Sequence, residues 1–145
     1  MISTETKAAF DSASQYFAQP IQQFQYFDKY SRFDYTKGRR ETWPETCDRA
    51  VTFLRELIRV NVPNSAQLAE QVITEAERQS LLNMQALPSM RTIAMAGEAA
   101  SRQNVCTFNC AFLPTCDTRA YAEALLISMS GCGVGFSVEK KYVDQ

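Results

Sequence analysis

A glycine-rich run and a cysteine upstream of it are the residues in this 145-residue chain whose types and spacing best suit chemistry. Three of the five glycines, Gly131, Gly133 and Gly135, fall within five consecutive positions of one apolar run. Glycine lets a ligand or another backbone approach a strand closely because it has no Cβ. Cys110 stands 21 residues before Gly131, in a second apolar run. A cysteine strand beside a glycine-lined strand favours redox chemistry on a bound small molecule, although close strand packing explains the glycines equally well.

The cysteines and the missing histidine narrow the chemistry. The five cysteines are Cys47, Cys106, Cys110, Cys116 and Cys132. Their odd number and the lack of a Cys-x-x-Cys pair predict free thiols rather than a disulfide framework. A four-cysteine zinc site is the weakest alternative, because structural zinc sites favour closely spaced cysteine pairs, and we predict no metal ligands. The sequence contains no histidine, which removes the commonest general base and disfavours the familiar hydrolases.

The bulk composition is that of an ordinary globular protein, with 46% hydrophobic and 21% charged residues. The formal net charge of −1 provides no general attraction to nucleic acid or to an anionic membrane. No apolar run approaches the length of a transmembrane helix, and the N-terminus lacks the basic and apolar regions of a signal peptide. We therefore expect a cytoplasmic protein whose partners include neither nucleic acid nor a membrane.

The elements that must position these residues begin with a helical region. Helices are predicted over residues 4–18, 43–60 and 65–86. The second of these has the clearest start signal, because Thr42 and Glu45 are spaced as a capping box and apolar residues then recur at helical spacing. Together the three helices predict an N-terminal helical region over residues 1–103.

Beyond the helical region the sequence pattern changes to strand, helix, strand. Residues 105–113 predict a buried strand, a capped helix follows and stops at Gly131, and residues 132–138 predict a second strand. Two strands joined by a helix form a parallel pair with a right-handed crossover. Because two parallel strands do not make a stable sheet alone, we predict that residues 104–145 begin a larger α/β domain.

Six short segments together resemble one known family. They are residues 26–33, 40–46, 87–91, 96–97, 109–110 and 133–139. In order and spacing they resemble the N-terminal part of the adenosylcobalamin-dependent (class II) ribonucleotide reductases, especially the monomeric ribonucleoside-triphosphate type. The resemblance covers about residues 20–143, and the Leu-Pro-Ser-Met-Arg segment at 87–91 favours class II over class I.

The resemblance implies an α/β fold in which residues 104–145 form the first strand-helix-strand unit of a ten-stranded reductase barrel, which this chain leaves incomplete. Such enzymes replace the ribose 2′-hydroxyl by hydrogen, using a thiyl radical above the sugar and two reducing thiols beneath it. Cys110 resembles one of the two reducing thiols, and a proton-donating thiol should be a protonated one, which burial favours. Asn109 would contact the substrate, and Gly133 and Gly135 would leave room for the nucleotide.

The same resemblance implies partners that lie outside this chain. They are a ribonucleoside triphosphate substrate, a thioredoxin-type reductant, and adenosylcobalamin, whose site falls on the remaining reductase polypeptide. The radical cysteine and the redox partner of Cys110 would fall there too. We therefore expect an N-terminal reductase fragment that is inactive without the rest of the barrel. The alternative is a non-catalytic fragment that acts as an interaction module for a reductase chain through its unpaired strands.

Overall fold

The computed structural model describes residues 4–143. These residues divide into two compact units, one ending at Gly97 and the other starting at Glu98. Helices and two separate two-stranded sheets make up the described part of the chain, which confirms the mixed helix-and-strand class with an incomplete sheet. The domain boundary expected between residues 103 and 104 stays a prediction. Within residues 4–143 no helix has the length and apolar character needed to cross a membrane.

The first unit is helical and contains one short antiparallel hairpin. Its helices are α1 (Thr4–Ser14), α2 (Pro20–Gln25), α3 (Trp43–Asn61), α4 (Ala66–Val72), α5 (Glu75–Leu82) and α6 (Met90–Met95), with a π-helical turn at Tyr26–Tyr30. The hairpin pairs β1 (Phe33–Asp34) with β2 (Arg39–Arg40). The helix predicted over residues 4–18 is confirmed at its start, but α1 ends four residues earlier than predicted, at Ser14.

Capping boxes decide where two of these helices begin. The backbone N–H of Thr42 donates to Glu45 Oε2 at 2.7 Å, as the sequence predicted for α3. The single helix expected over residues 65–86 is wrong, because α4 ends at Val72 and α5 starts afresh. Thr74 caps α5 by accepting from Ala76 N–H at 3.1 Å, and its own N–H donates to Glu77 at 2.9 Å.

The core of the first unit forms around Trp43, at the start of α3. Its side chain is 1% exposed, and its indole Nε1 donates to the carbonyl oxygen of Leu82 at 2.8 Å. The Tyr26 ring meets the indole edge-on, with the ring centroids 5.5 Å apart. Cys47 and Ile93 are also fully buried in this cluster. These contacts bury the apolar face of α3 and hold the π-helical turn, α5 and α6 against it.

The second unit contains the predicted strand-helix-strand. Its elements are α7 (Glu98–Arg102), a 3₁₀ turn (Asn104–Thr107), β3 (Cys110–Pro114), α8 (Arg119–Met129), β4 (Gly133–Ser137) and α9 (Lys140–Val143). β3 and β4 pair in parallel, which confirms the expected pairing. The expected strand over residues 105–113 is wrong in its first half. There Thr107 Oγ1 donates to the carbonyl of Asn104 at 2.6 Å, a local bond that closes a turn instead of a ladder.

The connections to α8 follow simple end signals. Asp117 Oδ1 accepts from Arg119 N–H at 2.7 Å and so caps the N-terminus of the helix. At the other end Gly131 has a φ of +86°, and its N–H donates to the Ser128 carbonyl at 2.9 Å. Cys132 N–H donates to the Ile127 carbonyl at 3.3 Å, which completes a Schellman motif and turns the chain into β4.

Candidate functional site

A charged network joins two of the resembling segments in the first unit, residues 40–46 and 96–97, and Arg49 on α3 is its centre. Arg49 Nε donates to Glu41 Oε1 at 2.8 Å, and Nη1 donates to the carbonyls of Ile93 at 3.0 Å and Ala96 at 2.8 Å. Both charged side chains are largely buried. The bond to Glu41 therefore attaches the connection between β2 and α3 to α3 itself, and the bonds to the two carbonyls attach the end of α6 to α3. This network holds the scaffold and leaves no free group for catalysis.

A second set of bonds extends that network to Tyr26. Its hydroxyl lies 2.7 Å from Thr46 Oγ1 and 3.1 Å from the carbonyl oxygen of Glu41. Thr46 Oγ1 in turn donates to Glu41 Oε2 at 3.0 Å. Burial raises the pKa of the Tyr26 hydroxyl above its usual range. A neutral, hydrogen-bonded tyrosine in a core is a structural group rather than a proton donor at neutral pH.

Two of the apolar clefts on the described part of the first unit have volumes of about 270 and 650 Å³. Tyr26, Trp43 and Met90 line the smaller cleft, and Leu54, Leu81 and Pro88 line the larger one. Neither is lined by a cysteine, and none of the predicted site residues falls in them. All the site residues predicted from the sequence lie in the second unit.

The structure brings the predicted cysteine and glycines of the second unit together on one face of a sheet. Cys110 is in register with Gly133, and Phe112 is in register with Gly135. Residues in register on parallel strands project from the same face, and successive residues alternate between faces. One face therefore carries the Cys110 thiol and the Phe112 ring on β3, next to two positions on β4 that have no side chain.

Helix α8 covers the opposite face of this sheet. The rings of Tyr121 on α8 and Phe136 on β4 meet edge-on, with their centroids 6.3 Å apart. Phe136 alternates with Gly135, so the helix packs on the face away from Cys110. Among the described residues of this unit, no helix packs on the Cys110 face. Cys110 is accordingly exposed in this chain, at a position where the sequence predicted a buried strand.

Neither glycine of that face is required by the conformation or packing of the described chain. A Cβ built on Gly133 would lie 3.4 Å from the Asn109 carbonyl oxygen, and one on Gly135 would lie 3.9 Å from that of Ala111. Both distances are ordinary contacts, and the positive φ of this region belongs to Gly131. Close packing between β3 and β4 therefore does not account for the two glycines.

Asn109 takes part in the site through its backbone. Its carbonyl oxygen accepts from Gly133 N–H at 2.9 Å, which extends the ladder one residue beyond Cys110. Its side chain is exposed, and the amide makes no hydrogen bond to another described residue. The amide is thus available to a ligand.

The remaining cysteines separate by burial. All five are free thiols, as predicted, with Cys47 and Cys132 buried and Cys116 exposed. Burial is the main cause that raises the pKa of the Cys47 thiol to about 12. No group of three or more cysteine, aspartate or glutamate residues in the described range is arranged to hold a metal ion. Phe112 is not among the residues predicted from the sequence, although two-residue alternation from Cys110 places it on the same strand face.

Comparisons with known proteins give the family. A family model described as the ribonucleotide reductase alpha domain matches residues 4–98. The fold is similar to the crystal structure of a B12-dependent (class II) ribonucleotide reductase, with a TM-score of 0.69 and 21% sequence identity. That match covers 96% of this chain and 23% of the other, so the chain spans less than a quarter of the matched protein. No curated protein sequence matched. The expected resemblance is confirmed, and the chain belongs to the ribonucleotide reductase alpha-domain family.

Proposed function

We propose that this chain contributes Cys110 as one of the two reducing thiols of a class II ribonucleoside-triphosphate reductase. The observation that carries the proposal is the register of Cys110 with Gly133, on a sheet face that no described helix of its unit covers. Reduction of a bound nucleotide requires a reactive thiol and open space beside it for the sugar, and this face offers both. Family membership supplies the reaction class, which is oxidoreduction of a ribonucleotide.

In the proposed reaction the Cys110 thiol lies beneath the ribose of the bound nucleotide. A thiyl radical elsewhere in the barrel removes the 3′-hydrogen, which it returns only after the 2′-position has been reduced. The C2′–O bond then breaks, and the departing oxygen leaves as water after taking a proton from a thiol. Cys110 and a second cysteine together supply two electrons and two protons and end as a disulfide. A new C2′–H bond replaces the hydroxyl, and a thioredoxin-type reductant restores the two thiols.

Gly133, Gly135 and Asn109 are proposed to bind the substrate. The two glycines give the ribose and its substituents direct access to the backbone of β4, where a Cβ would stand in the way. Asn109 offers an exposed amide with both donor and acceptor atoms at the end of β3. These assignments rest on position beside Cys110, with support from the absence of an internal packing role for either glycine.

Adenosylcobalamin is the cofactor proposed from the likeness to a class II enzyme. From the same likeness the cofactor site is proposed to lie on polypeptide outside this chain, and the proposed roles of Cys110 and its neighbours do not depend on it.

A second candidate function is an interaction module that binds a reductase chain without taking part in catalysis. The observation in its favour is the number of large apolar side chains left exposed on the second unit. They include Phe108, Phe112, Leu125, Leu126 and Met129. Such side chains and unpaired strand edges favour association with another chain. Only the catalytic proposal requires the thiol of Cys110.

The test replaces that thiol in an assembled enzyme. The chain is co-expressed with the polypeptide that supplies the remaining barrel, and deoxynucleotide formation is followed over many turnovers with thioredoxin or dithiothreitol. Cys110→Ser should abolish turnover, because a hydroxyl cannot close a disulfide. Cys116→Ser is the matched control, since Cys116 is also exposed and follows the same strand. Full turnover by Cys110→Ser would leave the interaction module as the better explanation.

A further inference from the structure

The stepped surface of the Cys110 face forms the proposed groove. Side chains stand on β3 at Cys110 and Phe112, whereas the registered positions on β4 are Gly133 and Gly135. The strip of bare backbone is bounded at its far end by Ser137, the next residue of β4 on the same face. Residues two apart on a strand are separated by about 7 Å. The spacing of Cys110 and Phe112 along the strand is therefore shorter than a nucleoside.

Phe112 has an unusual environment for a strand phenylalanine. It is 64% exposed, and it takes part in no aromatic pair among the described residues. Its registered neighbour is a glycine, and the Cβ position of Gly135 has only the Ala111 carbonyl oxygen within 4 Å. The ring thus does not fold down to cover that glycine. It stands as a free apolar wall along one side of the bare strip.

We propose that Phe112 is a substrate-positioning residue, whose ring forms the apolar wall against which the nucleotide lies while its ribose is held over Cys110. This inference rests on the proposed function of Cys110. An aromatic ring buries a large area at little cost in side-chain entropy, so it can fix a sugar or base by contact alone. The Phe112 ring and the two glycines act together. The bare backbone at Gly133 and Gly135 lets the nucleotide approach β4, and the ring limits its sideways movement.

Phe136 provides a matched comparison on the same sheet. It is 53% exposed and lies on β4, one residue beyond Gly135. Its ring faces α8 and contacts Tyr121, so it lies on the opposite face from the thiol. A change from phenylalanine to alanine at either position removes a similar exposed ring from the same small sheet. Only the change at Phe112 removes a ring from the proposed groove.

The test measures how a ribonucleoside triphosphate protects Cys110 from iodoacetamide in the assembled enzyme, with alkylation located by mass spectrometry. Cys116 reports the reagent's activity in the same sample. In the unmodified enzyme the nucleotide should slow alkylation of Cys110 and leave Cys116 unaffected. Phe112→Ala should raise the concentration that gives half protection roughly tenfold, as expected for losing the contact of one apolar side chain. Phe112→Leu should fall between, and Phe136→Ala should leave that concentration unchanged.

The outcomes separate this inference from the proposed function. Equal half-protection concentrations in Phe112→Ala and Phe136→Ala, with similar melting temperatures, would show that the ring does not contact the nucleotide. Absence of protection in an enzyme that loses turnover on Cys110→Ser would also overturn the role of Phe112, while leaving the catalytic assignment intact. Full turnover by Cys110→Ser would remove both. If Phe112→Ala does not fold, the comparison of Phe112→Leu with the unmodified enzyme decides the matter.

Discussion

Cys110 and Gly133 are in register on adjacent parallel strands, and their backbones are joined just before this pair by the bond from Gly133 N–H to the Asn109 carbonyl. The thiol therefore projects beside a strand position that has no side chain. Since α8 packs on the other face, through Tyr121 and Phe136, the thiol side of this sheet stays accessible. The two five-residue strands thus combine a reactive group on β3 with open space beside it on β4.

The first prediction concerns thiol reactivity in the full chain. Cys110 is exposed, whereas Cys47 is 0% exposed and burial raises the pKa of its thiol to about 12. Because the thiolate is the species that reacts, iodoacetamide at mildly alkaline pH should label Cys110 rapidly and Cys47 only after unfolding. Mass spectrometry with and without denaturant measures both sites. Labelling of Cys47 at the rate of Cys110 in native buffer would contradict the burial described for it.

The second prediction concerns Gly135. Alanine fits there without a close contact and without a positive φ, so Gly135→Ala should leave the free energy of unfolding unchanged or raise it by up to about 1 kcal/mol. Gly131→Ala is the control, because its φ of +86° makes the same change destabilising, by about 1 kcal/mol. Urea unfolding measures both.

The same Gly135 variant also tests the site. If Gly135 lines the nucleotide pocket, the added methyl group should weaken substrate binding in the assembled enzyme even though it does not destabilise the chain. Unchanged affinity would remove Gly135 from the proposed substrate contacts. Combined measurements on one variant therefore distinguish a residue that serves the ligand from one that serves the sheet.

The third prediction concerns the Arg49 network. Arg49→Met should lower the free energy of unfolding by about 3 kcal/mol, because it leaves the largely buried Glu41 carboxylate without its cation. Arg78→Met is the control, since its partner Asp48, 2.6 Å away, is exposed, and exposed pairs contribute about 1 kcal/mol or less. Fluorescence of Trp43, the only tryptophan, reports unfolding of this unit. Equal losses for the two variants would show that the Arg49 pair is no more than a surface contact.

The sequence predicted features that depend on near neighbours. Thr42 and Glu45 are three residues apart, so their capping box and the start of α3 could be identified directly. The parallel pairing of β3 and β4 followed from the order strand, helix, strand, which allows few alternatives. Thr74 and Glu77 have the same spacing, and their capping box starts α5 within the span for which a single helix was predicted.

Other features depend on distant contacts or on small local choices. Arg49 bonds to the carbonyl of Ile93, 44 residues away, and no spacing rule indicates such a partner. At Thr107 the apolar and β-branched neighbours favoured a strand, but a side-chain bond to Asn104 stabilises a turn instead. The Cys110 site shows both effects. The parallel pairing of its two strands was predictable from composition and order, whereas the register of Cys110 with Gly133 and the exposure of the thiol depend on contacts that the sequence does not show.

The last prediction concerns acid stability and Glu45, where the hairpin meets α3. The Glu45 carboxylate accepts from Arg39 Nη2 at 2.9 Å, from Lys37 Nζ at 2.6 Å and from Thr42 N–H at 2.7 Å. The bond to Arg39, with help from Lys37 and Thr42, holds the pKa of this carboxyl well below its ordinary value of 4.5. A carboxyl whose pKa is lower in the folded chain stabilises it above the unfolded value and loses that contribution as the pH falls through the folded value.

Unfolding free energy should therefore decline as the pH drops below about 4.5, and Glu45→Gln should flatten that decline. At neutral pH the same variant should be less stable by about 1 kcal/mol, as for the loss of a helix cap. Glu77→Gln is the control, because Glu77 completes the capping box of α5 through Thr74 but has no cation in its bonds. Its effect on the acid slope should be smaller. A Glu45→Gln variant with the same acid slope as the unmodified chain would show that the bonds to Arg39 and Lys37 do not stabilise the junction between the hairpin and α3.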